Sequence, residues 1–237
     1  MIIGGLQKLT LLDSPEHLAA IIFTQGCNFR CHFCYNPQLV VPTSRKEAKI
    51  KGHSFIKEDG LFGFLRARQK KLDAVVITGG EPTINPDLPE FIKKIKALGY
   101  LVKLDTNGAN PAMLEKLLRK KLIDYLAMDL KAPLEKYNLV TGVKAPLNNI
   151  KKSVKIIMRS GLPYEFRTTV LPAFHHAEDI KKMGELIKGA KKWYLQKFKS
   201  NVNLVNEKFK GKKSYTGKEM IELKKIALKF VKYCEIR

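Results

Sequence analysis

Three cysteines fall within eight residues, Cys27-Asn-Phe-Arg-Cys31-His-Phe-Cys34. A structural zinc closes its shell with four ligands, and an ordinary cubane iron–sulfur cluster takes four cysteines. The only other cysteine, Cys234, lies near the far end of the chain. Three local thiolates suit a [4Fe–4S] cluster with one iron left to an exogenous ligand, and that open iron is where chemistry would occur. Core thiols or a partial zinc site are the bland readings; three cysteines in one glycine-preceded loop are hard to explain as packing. Phe33, beside the last cysteine, either shields the cluster, stacks on an aromatic ligand or simply packs the loop.

Other residues able to do chemistry stand at the ends of short apolar runs. Gly79-Gly80-Glu81-Pro82 offers two glycines that let a ligand approach the backbone, and it also reads as a tight turn. Asp105 and Asp129 are carboxylates able to hold a hard cation or an ammonium, although Asp105-Thr106-Asn107 equally reads as a helix cap. Asp129 and Lys131 are two apart and share a strand face, so an internal ion pair is the plain alternative. Arg167 is flanked by apolar and β-branched residues; pointing inward it needs an anion such as a carboxylate, and pointing outward it is a surface charge. His175-His176 reads as a loop or capping pair rather than a metal site. Cys234 is in register with Leu223, Ala227 and Phe230, the spacing of one helical face, which favours core packing over a fourth cluster ligand.

Strands and helices must alternate to position these groups. The pattern predicts strands at Leu18–Phe23, Ala74–Ile77, Leu101–Leu104, Tyr125–Leu130, Tyr164–Val170 and Trp193–Phe198. Helices are predicted at Phe55–Gln69, Leu88–Leu98, Pro111–Arg119, Asn148–Arg159, Ala177–Ile187 and about 216–233. Residues 25–37 form the cysteine loop, and Gln38–His53 is a polar excursion. Six βα units imply a mostly parallel sheet, an open or partial (β/α)6 barrel making one domain over 1–237. Chemistry in such folds collects at the C-terminal strand ends, where the cysteine loop, the Gly-Gly-Glu turn, Asp105 and Asp129 fall.

Composition bounds the rest. The chain has 237 residues, 45% hydrophobic, enough for one sizeable core. No apolar run approaches the ~20 residues that span a bilayer, no signal-peptide layout opens the chain, and four cysteines do not make a disulfide framework. A reducing cytoplasm is the expected location. Lys and Arg number 44 against 22 acidic residues, a net charge of +22. That balance admits nucleic acid as a partner, but no basic run carries interleaved aromatics, and solvated lysine faces explain it as well.

The C-x3-C-x-aromatic-C loop followed by Gly-Gly-Glu-Pro in the next βα unit resembles the paired signature of the radical S-adenosylmethionine (SAM) superfamily. Within it the chain is similar to glycyl-radical-enzyme activating enzymes. It most resembles the activating proteins of anaerobic ribonucleoside-triphosphate reductase, with pyruvate formate-lyase activating enzyme a cousin. The residues that carry this are Gly5-Leu-Gln-Lys-Leu-Thr-Leu-Leu-Asp13, Phe23-Thr-Gln-Gly-Cys27, Asn36-Pro37, Asp73 through Thr83, Asp105-Thr-Asn-Gly108 and Met128-Asp-Leu-Lys-Ala-Pro133.

The resemblance implies that Cys27, Cys31 and Cys34 ligate three irons of a [4Fe–4S] cluster and that SAM chelates the fourth. Gly79, Gly80 and Glu81 would hold the SAM amino end. Asp129, Lys131 and Arg167 would surround its carboxylate or ribose, and Phe33 would lie near the adenine. A monovalent cation would sit at Asp105, Thr106 and Asp129, with Ala127 giving only a backbone oxygen. One electron from a flavodoxin- or ferredoxin-type donor would cleave SAM to a 5′-deoxyadenosyl radical, which takes a hydrogen from a glycine of a partner enzyme, anaerobic ribonucleotide reductase. Tyr35 stands where relatives commonly have histidine, Leu12-Asp-Ser-Pro-Glu16 departs from Leu-Asp-Tyr-Pro-Gly, and Lys197, Phe198 and Lys199 replace a late-strand histidine. The alternatives are a radical SAM enzyme acting on a small molecule or RNA, like 7-carboxy-7-deazaguanine synthase or a tRNA-modifying enzyme, and a non-catalytic iron–sulfur electron carrier using Cys234.

Overall fold

The computed structural model describes residues 1–40 and 55–237, so most of the excursion expected over Gln38–His53 lies outside the described residues. The chain divides into two compact units. The first holds Met1–Asn28, Gln38–Thr106 and Ala112–Leu126; the second holds Phe29–Pro37, Asn107–Pro111 and Ala127–Arg237.

In the first unit β1 (Ile3–Thr10) pairs antiparallel with β2 (Ala19–Thr24), and β2, β3 (Ala74–Gly79) and β4 (Leu101–Thr106) run parallel. Strands buried on both faces read as continuous apolar runs rather than alternations, and Ala19–Ile22 and Ala74–Ile77 are such runs, all buried. Helices α2 (Glu58–Ala67), α3 (Leu88–Ala97) and α4 (Pro111–Arg119) are amphipathic. In α3, Leu88, Phe91, Ile92 and Ile95 are buried while Lys93 and Lys94 ion-pair at the surface. Leu98 caps α3 and Gly99 follows at φ 89°, the left-handed turn that glycine permits. A four-residue helix, α1 (Pro37–Val40), precedes the undescribed segment.

Strand β5 (Tyr125–Asp129) begins in the first unit, where the Asp124 amide donates to the Val102 carbonyl at 2.8 Å. It ends in the second, where the Leu130 amide donates to the Arg167 carbonyl at 2.8 Å. There β6 (Tyr164–Val170), β7 (Trp193–Lys197) and β8 (Cys234–Ile236) run parallel, so strand order follows the sequence from β1 to β8. Helices α5 (Tyr137–Thr141), α6 (Leu147–Arg159), α7 (Ala177–Leu186) and α8 (Gly217–Ala227) belong to this unit. A reciprocal cap starts α8: the Glu219 amide donates to Thr216 Oγ1, and the Thr216 amide donates to Glu219 Oε2.

The six parallel units expected from the sequence are β2 through β7 with their helices. Two strands were not expected. β1 carries Gly4, Gly5, Gln7 and Lys8, which mask a strand pattern, and β8 has three residues. The terminal helix is shorter than expected, ending at Ala227. Backbone bonds from Gly189 to the Phe230 carbonyl and from Trp193 to the Tyr233 carbonyl draw the following segment to the sheet. Cys234 therefore opens a strand instead of extending a helical face. It is still a core residue, beside the fully buried Trp193, whose indole N–H donates to Thr168 Oγ1 at 3.0 Å. Trp193→Ala should empty this part of the core and cost about 3–5 kcal/mol, measured as a lower urea midpoint; an unchanged midpoint would show that β7 does not anchor the second unit.

Candidate active site

In the first unit Gly79, which ends β3, and Gly80, which follows it, answer first to the chain itself. Gly79 has φ 114°, and a Cβ there would lie 2.3 Å from the Thr24 nitrogen; one on Gly80 would lie 1.9 Å from the Gly26 carbonyl oxygen. The Gly80 amide donates to Thr24 O at 2.9 Å and the Glu81 amide to Gly26 O at 2.8 Å. The Gly-Gly-Glu turn is thus clamped to the residues just before Cys27. The group that approaches these glycines closely is the backbone at the end of β2, which the sequence could not reveal. Glu81 is buried, and its Oε1 accepts from the Thr83 amide at 3.1 Å, the Thr83 hydroxyl, and the Thr106 hydroxyl at 2.7 Å. One carboxylate oxygen so joins the turn after β3 to the end of β4. Asp105, on that strand, lies 3.7 Å from the ammonium of Lys103 on the same face.

In the second unit Asp129, Lys131 and Arg167 are brought together. Arg167 Nε donates to Asp129 Oδ1 at 2.8 Å and Lys131 Nζ to Oδ2 at 3.0 Å. The inward reading of Arg167 is therefore correct, and its anion is Asp129. Burial alone would raise the Asp129 carboxyl, but the Arg167 and Lys131 charges hold it well below the usual carboxylate range. Burial alone would lower the Lys131 ammonium. Asp129 foremost, with smaller electrostatic contributions from Cys31 and Cys34, pushes it above the ordinary lysine range. Two of the three loop cysteines thus share an electrostatic environment with Lys131. Their own loop is turned by the Cys34 amide donating to Cys31 O at 3.0 Å. Among the described residues no cysteine is in a disulfide, so the thiol donors that a [4Fe–4S] cluster takes are present.

Phe33 is buried, its ring 6.4 Å from Phe174 and 6.2 Å, edge-on, from His175. Tyr35 stacks on Phe198 at 6.3 Å and accepts the Lys199 amide at 2.8 Å. It therefore ties the cysteine loop to the segment that follows β7.

Sequence reading missed His175. His176 does cap α7, with Asp179 accepting its amide at 2.8 Å. His175 instead is fully buried, with Nε2 2.8 Å from the Lys131 carbonyl and Nδ1 facing the Leu171 amide at 3.4 Å. Because a carbonyl only accepts, Nε2 carries the proton and the ring is neutral. It braces the backbone of Lys131 from outside the motif, and only the pairing of two distant segments reveals it. Lys103 was missed too: it lies inside a strand run where a lone lysine reads as surface charge.

A family model described as the radical SAM superfamily matches residues 21–188. This chain belongs to that superfamily. It is 32% identical over its whole length to a protein of Methanocaldococcus jannaschii named as a glycyl-radical enzyme activating enzyme, covering 95% of that relative. It is 27% identical to the pyruvate formate-lyase-activating enzyme of Clostridium pasteurianum over 78% of this chain and 76% of that one. A protein of Thermococcus kodakarensis named as GTP 3',8-cyclase is 29% identical over 67% of this chain but 49% of its own length. Among solved structures, Streptococcus suis SuiB bound to S-adenosylmethionine shares the fold with a TM-score of 0.67 over 92% of this chain and 49% of SuiB, at 16% identity. A domain of pyruvate-formate lyase-activating enzyme from Bacteroides vulgatus gives 0.55 over 70% of this chain and 99% of that domain, at 17% identity.

The radical SAM chain is an enzyme, and its family uses a [4Fe–4S] cluster with SAM. The electron-carrier alternative falls with that, and Cys234 argues the same way: burial pushes its thiol up to about 12, against the thiolate that a cluster ligand must be. No helix among the described residues is long and apolar enough to cross a membrane. Cys234→Ser is expected to leave iron and sulfide content after anaerobic reconstitution unchanged; loss of cluster iron would make Cys234 a ligand after all.

His175 gives the site a pH dependence. Burial lowers it from 6.5 to about 4, so above pH ~6.5 it is neutral in both folded and unfolded chains and costs nothing. Below that the unfolded chain takes up a proton that the folded one refuses, and stability drops by about 3 kcal/mol by pH ~4. His175→Gln, whose amide still donates to the Lys131 carbonyl, should flatten stability between pH 6.5 and 4 in urea titrations. An equal slope in both proteins would assign the loss elsewhere.

Proposed function

We propose that this radical SAM enzyme is an activase that installs a glycyl radical on a partner enzyme, anaerobic ribonucleoside-triphosphate reductase. The observation that carries the reading is end-to-end correspondence: a relative named as a glycyl-radical enzyme activating enzyme matches all of this chain and 95% of its own length. The relatives named as cyclases are matched over about half of theirs or less.

In this reading Cys27, Cys31 and Cys34 hold the cluster, and the turn of Gly79, Gly80 and Glu81 presents backbone groups to the SAM amino end. Glu81 acts through its backbone, since its buried Oε1 already accepts from Thr83 and Thr106. Arg167 and Lys131 meet the SAM carboxylate or ribose, with Asp129 fixing both, and Phe33 borders the adenine. When bound, the reduced cluster would give one electron to SAM, whose S–C5′ bond would break to release methionine and a 5′-deoxyadenosyl radical; a glycine Cα hydrogen of the partner would pass to that radical, leaving 5′-deoxyadenosine and the glycyl radical. No side chain need act as a general base, and the buried, neutral His175 is placed to brace rather than to shuttle protons. The electron comes from a flavodoxin- or ferredoxin-type donor, and the setting is cytoplasmic.

The test is anaerobic reconstitution with iron, sulfide, SAM and a strong reductant, with 5′-deoxyadenosine measured chromatographically. An anaerobic ribonucleotide reductase is then added and its radical sought by EPR. The expected result is SAM cleavage together with a glycyl doublet. A reconstituted cluster that never cleaves SAM would sink the reading. Cleavage without a glycyl radical, but with turnover of a small molecule or tRNA, would move the substrate to that class.

A further inference from the structure

The resemblance implies a monovalent cation at Asp105, Thr106 and Asp129, but within its own unit each of these residues already faces a protein group, Asp105 through an ion pair longer than a hydrogen bond. Lys103 is 2% exposed, and a lysine is almost never buried so fully unless it is paired. Its ammonium lies 3.7 Å from Asp105 Oδ1, donates to the Asp13 carbonyl, and sits 5.3 Å from the Tyr125 ring centre. Two groups from other segments, the Asp13 carbonyl and the Tyr125 ring, therefore hold this positive charge near Asp105, the ring through a cation–π contact. The Thr106 hydroxyl donates its proton to Glu81 at 2.7 Å. In the second unit both oxygens of Asp129 accept from cations, Arg167 on one and Lys131 on the other.

A hard cation needs carboxylate and carbonyl oxygens turned toward it. Beside an immobilised ammonium a second positive charge is repelled, the more strongly because the site is buried. We infer that Lys103 is the built-in countercharge of Asp105, a positioning residue, and that this enzyme takes up no alkali cation there. Lys103 stands two residues before Asp105, so the strand itself places the ammonium on the carboxylate's face. The same ammonium ties the loop at Asp13 to β4, which a diffusible ion would do only when bound. The inference rests on the SAM reading above only where SAM affinity is measured.

The experiment compares the anaerobically reconstituted protein in sodium, potassium and tetramethylammonium chloride at equal ionic strength. Thermal midpoints without SAM should coincide, because a specifically bound ion would raise the midpoint saturably. SAM affinity by equilibrium dialysis should agree within about twofold among the salts. Lys103→Met should lose about tenfold in affinity, a factor of about 1.4 kcal/mol, in tetramethylammonium chloride and recover it in sodium or potassium. Lys103→Arg should stay salt-independent. A saturable sodium or potassium effect on the wild-type midpoint or affinity overturns the inference, as does unchanged affinity in Lys103→Met. If Lys103→Met does not fold, the wild-type and Lys103→Arg salt series decide. If the wild-type protein binds no SAM, the proposed function fails, and the thermal comparison still decides the cation.

Discussion

Asp129 is the constraint on which the second unit's chemistry depends. It ends β5 with one oxygen on Arg167 of β6 and the other on Lys131. Withdrawing three charges partly from water is costly unless each is paired with good geometry, and here one carboxylate serves two cations. The arrangement keeps a net positive charge at the strand ends, in the field of Cys31 and Cys34. His175 completes it by holding the Lys131 backbone with a neutral ring, adding no further charge.

The first unit solves a related problem differently. Its buried carboxylates, Glu81 and Asp105, are matched by hydroxyls and amides in one case and by a single ammonium in the other. Glu81 gathers the turn after β3 and the end of β4 on one oxygen. The glycines before it let β2 and the β3 turn meet backbone to backbone, closer than any side chain allows. Rigidity at these strand ends comes from buried polar groups that engage one another across neighbouring segments.

Much of the fold was legible because its signals are local. Apolar runs such as Ala74–Ile77 and amphipathic spacing such as that of Leu88, Phe91, Ile92 and Ile95 follow from the periods of strand and helix. Gly99 and Thr216 marked helix ends through their own conformational and hydrogen-bonding preferences. β1 and β8 escaped because they are strands by virtue of their neighbours. The terminal helix was drawn too long because periodicity carries on where tertiary backbone bonds take over at Phe230 and Tyr233.

The sequence alone determined the chemistry at hand: three closely spaced cysteines, a glycine turn, and charged residues at the ends of successive strands, because residue type and short-range spacing are properties of the chain. It also determined the alternation of strand and helix that puts those residues at strand ends. Only the tertiary structure decided who partners whom. It turned Arg167 inward to Asp129, set His175 under Lys131, placed Cys234 on a strand, and brought Lys103 against Asp105, Asp13 and Tyr125. Most of these pairings join segments far apart in the chain, and all depend on burial. Burial, which no local pattern encodes, makes an unpaired charge costly enough to dictate its neighbour.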